Sequence, residues 1–144
     1  MLIALALALQ AVRLVLLLPQ PVSTFVIGSL VHMMLVLTWK LSGLGTALLL
    51  ALLLPLTAYL QGQVLLPLLI PVIWAGNVLF VVLLQLFSAN RRLALFLPPL
   101  AKAVLMGVAA WCVVNIVALP NPALRKTIMF GMSVPQLVTA FIGI

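Results

Sequence analysis

Amide, imidazole and guanidinium groups interrupt otherwise apolar runs of this chain at Gln10, Arg13, His32, Asn77 and Gln136. Each costs free energy in hydrocarbon unless it meets a partner or a cavity, so such positions are functional candidates by default. The chemistry they offer is recognition. An amide presents donors and an acceptor, an imidazole one of each, and an arginine a fork that fits carboxylate or phosphate. Trp74 and Asn77 stand at i and i+3, neighbours on one helix face, and Trp111 and Asn115 at i and i+4 repeat the pairing. Asn77, Gln136, His32 and Trp74 are therefore expected to contact a bound small molecule directly. The polar groups would hydrogen-bond a heterocycle and the indole would stack on it, with Arg13 as an anion contact.

The chain has no Asp and no Glu in 144 residues. A paired-carboxylate acid/base site, a carboxylate metal site and an Asp/Glu proton relay are all excluded. Ser23, Ser29, Ser42, Ser88 and Ser133 lack an acid to complete a triad. His32 is the sole histidine, and without Cys ligands or a second His it makes a poor metal site. No enzyme, cofactor or metal centre is expected. Met33 and Met34 read as packing. The missing carboxylates also point to a ligand that is neutral or anionic, not cationic.

The elements that must position these groups are membrane helices. Hydrophobic residues make up 67% of the chain and charged residues 5%, with a mean hydropathy of +1.49. That composition describes an all-α integral membrane protein. A spanning helix takes roughly 20 apolar residues, so the length allows a single domain, 1–144, built as a compact bundle of six transmembrane helices. Pro, Gly and charge mark the boundaries. The first helix runs from about Leu2 to Leu18 and stops at Pro19-Gln20-Pro21. Residues 1–18 lack the basic start and A-x-A end of a cleaved signal and read as a mature helix. The second runs from about Val22 to Trp39 and ends at Lys40 and Ser42-Gly43-Leu44-Gly45. The third runs from about Thr46 to Leu60, before Gln61-Gly62-Gln63. The fourth covers about Leu65 to Phe87. The fifth is expected to begin at Pro98-Pro99 and to end at Leu119, before Pro120-Asn121-Pro122. The sixth covers about Leu124 to Ile144 with a kink at Pro135.

The formal charge of +7 is scattered through greasy segments, so nucleic acid is not an expected partner. Lys40, Arg91, Arg92 and Lys102 fall on the side of the two termini, against Arg125, Lys126 and Arg13 on the other. Positive-inside counting places the termini in the cytoplasm. In that orientation the uncharged polar and aromatic groups gather in the outer half or at the midplane, as an outward-facing pocket requires.

Several residues also have plain structural readings. His32, Asn77 and Gln136 would serve equally as hydrogen-bond glue between helices. Trp39 reads as an interfacial anchor, and Lys102 as a side chain that snorkels to the cytoplasmic surface. Arg125-Lys126 is either interfacial charge or an anion-attracting collar. Cys112 reads as a small buried hydrophobe. Ala4, Ala8 and Ala11 make a smooth stripe on the first helix, suited either to close approach of another helix or to internal packing.

The order of these pieces resembles a family. An Ala-x-x-x-Ala first helix (Ala4, Ala8) precedes a Pro-containing loop and Gly28-Ser29-Leu30-Val31-His32. Leu54-Pro55-Leu56-Thr57-Ala58 with Gly62 follows, then Pro71-Val72-Ile73-Trp74-Ala75-Gly76-Asn77. Lys102 opens the fifth helix, and Pro135-Gln136-Leu137-Val138-Thr139-Ala140 with Gly143 closes the sixth. Over nearly its whole length the chain resembles the S component of an energy-coupling factor (ECF) transporter. The motifs are loose, and their order carries the likeness. The resemblance implies a six-helix subunit in the plasma membrane of a prokaryote that captures a vitamin or similar micronutrient near the outer surface. It further implies association with a transmembrane coupling protein through Ala4 and Ala8, and with a pair of ATPases. The chain itself has no G-x-x-x-x-G-K-[ST] loop. It departs from the family where Asn is expected in the helix-two motif and His32 stands instead. The alternative is a small accessory membrane subunit without a ligand, in which the amides only join helices. A channel is disfavoured, since no Gly-rich filter or charged ring is present.

Overall fold

In hydrocarbon every backbone N–H and C=O needs an internal partner, and a helix supplies it within one segment. The structure, a computed structural model describing residues 1–15, 20–64, 66–117 and 121–144, is helical accordingly, with no strand among the described residues. The elements are α1 (Leu2–Val15), α2 (Gln20–Leu60), α3 (Leu69–Leu86), α4 (Arg91–Ile116), α5 (Pro122–Gly131) and α6 (Val134–Ile142). Three stretches, Val22–Leu60, Leu69–Leu86 and Arg91–Ile116, are long and apolar enough to cross a membrane.

The long α2 is broken at Gly43, whose φ of 83° and ψ of 174° lie outside the helical region. Positive φ is cheap only without a Cβ. Thr24 and Ala58 would stand about 50 Å apart along one straight helix at about 1.5 Å per residue. Both line the same cavity, so α2 folds back at Gly43 into two limbs. Gly62, with φ 69°, ends the second limb, and the Gln63 amide donates to the Ala58 carbonyl at 2.9 Å. The helix thus ends at its expected boundary, Gln61-Gly62-Gln63, through a left-handed glycine.

The core joins Met34, Leu35 and Val36 of the first limb to Ala47, Leu50, Ala51 and Leu54 of the second. Phe80, Val81 and Leu84 of α3, Ala6 of α1 and Ala140 of α6 complete it. A second cluster joins Leu69, Ala110, Val114 and Ile128 at the end where α3 begins and α4 finishes. Two missing side chains set the closest approaches. A Cβ on Gly76 would lie 2.7 Å from Met106 Cγ, and one on Gly143 would lie 2.7 Å from the Met33 amide nitrogen. α4 is thereby seated on α3, and the chain beyond α6 on the first limb beside His32.

Some expected boundaries move. The helix expected from Pro98 begins at Arg91, because Asn90 caps it by accepting from the Leu93 amide at 3.3 Å. Pro98 and Pro99 are buried inside α4, where neighbouring helices make an internal proline tolerable in a membrane. The helix expected from Leu124 to Ile144 is two short helices. Its chain breaks at Met132–Ser133, ahead of the expected kink, and Pro135 lies in the first turn of α6, where a proline sacrifices no helical bond. Cys112, expected to be buried, is exposed on the outward face of α4. The expected helix ends at Leu18 and Leu119, the breaks at Pro19 and Pro120, and the expected helix start at Leu65 lie outside the described residues.

Candidate functional site

The bundle has two ends. One carries the finish of α1, the start of α2, the finish of the second limb and the starts of α3 and α5. The other carries Gly43 and the turn between α3 and α4. A cavity of about 270 Å³ enters from the first end, a volume near the lower bound for small-molecule sites. Arg13, Gln63 and Thr127 line it near the helix ends, while His32, Asn77 and Lys102 line it at mid-helix. Asn77 is eight residues into α3, a depth of about 12 Å.

The deep wall is a connected polar chain. His32 Nδ1 donates to the Gly28 carbonyl at 2.7 Å. A carbonyl only accepts, so this nitrogen holds the proton and Nε2 presents its lone pair. Lys102 Nζ donates to that Nε2 at 2.6 Å and to Asn77 Oδ1 at 2.6 Å. Asn77 Nδ2 passes the chain on to the Ala51 carbonyl at 3.4 Å. Lys102, His32 and Asn77 are 1%, 2% and 3% exposed. Phe80 packs against both the ammonium and the imidazole, its ring 5.7 Å from Lys102 Nζ and edge-on to His32 at 5.3 Å.

A proline explains why the amide points where it does. Pro55 has no N–H, so the Ala51 carbonyl one turn before it has no helical donor. Asn77 supplies that donor from α3. Next to it, Trp74 Nε1 donates to the Leu52 carbonyl, and Gln10 Nε2 donates to the Leu54 carbonyl at 3.1 Å. Thr57 returns a bond to Gln10 Oε1 at 3.1 Å. Three neighbouring helix positions on the second limb thus anchor α1 and α3.

Arg13, His32, Asn77 and Gln136, four residues far apart in sequence, share the cavity wall. Trp74 does not join them. Its indole is spent on Leu52, and no stacking surface reaches the cavity from it. Arg125 also stands apart, exposed and donating to Asn115 Oδ1 at 2.9 Å, while Asn115 itself bonds the Trp111 carbonyl. Trp39 donates to Gln85 Oε1 at 2.8 Å at the opposite end.

Lys102 is the correction that matters most. The expected snorkelling to the cytoplasmic surface does not occur, because α4 begins at Arg91 and not at Pro98. Lys102 is therefore three turns into the helix, too deep to reach the surface at the Gly43 end. The sequence does carry a signal for this in Asn90-Arg91-Arg92, an N-cap followed by charge. Pro55 and Gln10 are also legible as a helix-internal proline and a mid-helix amide, but nothing in the sequence pairs them.

The chain was compared with protein-family models, curated proteins and solved structures, and none of these matches it.

Proposed function

We propose that the protein is the substrate-capture subunit of an ECF-type importer. It spans the plasma membrane of a prokaryote in six passes, with cytoplasmic termini, and takes up a vitamin-like molecule from outside. In this topology the two limbs of α2 are separate passes and α5 with α6 makes the last. The observation that carries the reading is the cavity at the end away from Gly43, with Arg13, His32, Asn77 and Gln136 all on its wall. An accessory subunit whose amides only join helices would have a packed interior, and Gln136 would be bonded across helices. Native mass spectrometry of the protein in lipid nanodiscs is expected to show one copurifying small molecule. Gln136→Ala and Asn77→Ala should lose it. Retention at full occupancy in both variants would refute the site.

The partners in this reading are a transmembrane coupling protein and two ATPases. Ala4 and Ala8 are exposed on α1, while Ala6 and Gln10 face inward. The small-residue stripe is thus on the outer surface of the bundle, which supports docking over internal packing. Ala8→Trp should abolish copurification with the ATPases and leave the bound molecule in place. Unchanged complex assembly would count against this surface.

A further inference from the structure

Lys102 places its amine in the middle of an apolar bundle, and both of its hydrogen-bond partners are neutral. Elsewhere such a group is paired with a carboxylate, because an uncompensated buried charge is costly. This chain has no Asp or Glu anywhere. Any counter-ion that holds the Lys102 amine in its charged form therefore has to come from outside the chain's own side chains. An ammonium has three N–H donors. Two are committed, to His32 Nε2 and Asn77 Oδ1, and no third acceptor stands among the described residues. The Nδ1–H tautomer of His32, set by the Gly28 carbonyl, makes that imidazole an acceptor toward Lys102. His32 and Asn77 thus hold the ammonium in place and leave one donor over. Lys102 itself forms part of the cavity wall, at its deep end.

We propose that the captured molecule is a small water-soluble acid whose carboxylate or phosphate oxygen accepts the remaining N–H of Lys102, with Arg13 nearer the cavity mouth. The inference rests on the capture reading and adds the charge of the ligand and the residue that reads it. His32 and Asn77 act as positioning residues for the lysine, and Gln136 is left to the uncharged part of the ligand. An anion bound here replaces its hydration shell with a fixed donor in a low-dielectric wall, where a charge-assisted bond is strongest.

The test uses the full chain in lipid nanodiscs, as wild type, Lys102→Met and Lys102→Gln. Methionine matches the length of lysine but leaves His32 Nε2 and Asn77 Oδ1 without their donor, so ligand-free Lys102→Met is expected to fold with a lowered unfolding temperature. Lys102→Gln keeps a donor for His32 or Asn77 and serves if the methionine variant does not fold. The copurifying molecule is released and weighed in negative-ion mode, and benzoate, benzamide and inorganic phosphate are titrated as simple probes. An acid on the wild type, with affinity at least about 100-fold lower in the lysine variants, supports the proposal. Stabilisation of the wild type by benzoate or phosphate, with none from benzamide, supports it as well. A neutral or cationic copurifying molecule overturns the anion inference and leaves capture standing. A phospholipid as the bound species overturns the assignment of a soluble acid. No copurifying molecule and no response to any probe would overturn both this inference and the capture reading.

Discussion

The two ends of the bundle handle positive charge in opposite ways. At the Gly43 end, Lys40 and Arg91 line a recess with Trp39, Ser88 and Ile144, and both cations are exposed. Water screens them, and their neighbours owe them nothing. Toward the other end, Lys102 is enclosed, and the side chains around it are arranged by its presence. His32 turns its acceptor nitrogen to it, Asn77 turns its carbonyl oxygen to it, and Phe80 packs beneath it. The same charge is left exposed at one end and is an organising centre at the other. Burial makes the difference, because a polar group withdrawn from water must be satisfied locally.

The comparison is broken most directly by an identical change at both ends. Asn77→Leu and Gln85→Leu each remove one side-chain amide that takes part in an interhelical bond. Asn77→Leu strips an acceptor from the buried ammonium and a donor from the Ala51 carbonyl, and is expected to cost about 2 kcal/mol of unfolding free energy. Gln85→Leu removes only the exposed bond from Trp39 and is expected to cost about 0.5 kcal/mol. Denaturant titration in bicelles measures both, and equal losses would mean that the two ends do not differ. The smallest effect belongs to the charges at the Gly43 end. The double variant Lys40→Gln, Arg91→Gln should change stability by no more than about 0.5 kcal/mol and leave benzoate affinity unchanged. Its measurable consequence is topological, because in the proposed orientation these charges supply the bias that would keep that end in the cytoplasm. Cysteine labelling from the two sides of a spheroplast reads that bias, and a variant with mixed orientation is the expected outcome.

Much of the candidate site is legible in the amino-acid sequence. Arg13, His32, Asn77 and Gln136 stand out because each interrupts an apolar run, and such interruptions are expensive in hydrocarbon. Their shared cavity follows from the same energetics, since polar groups in a bundle turn toward one another. Trp74 is different. Its spacing beside Asn77 suggests a stacking surface, yet its N–H donates to the Leu52 carbonyl of another helix, three residues before Pro55. Cys112 escapes a sequence reading for a related reason. In an apolar helix of a membrane protein, apolar character alone does not separate the bundle-facing side from the outward side.

The sequence by itself determined that this chain forms membrane helices, that it has no acidic side chain, and which polar residues interrupt its apolar runs. Those are local properties, set by the cost of unpaired backbone in hydrocarbon and by residue type, as at Gly43 and Gly62 with their positive φ. Only the tertiary structure decided that Lys102 is buried and joined to His32 and Asn77, which come from two other helices. That arrangement depends on the register of α4 against α3, set by the close contact at Gly76, and on the seating of the chain beyond α6 against the first limb of α2 at Gly143. Helix register is a packing property, and no spacing within one helix encodes it.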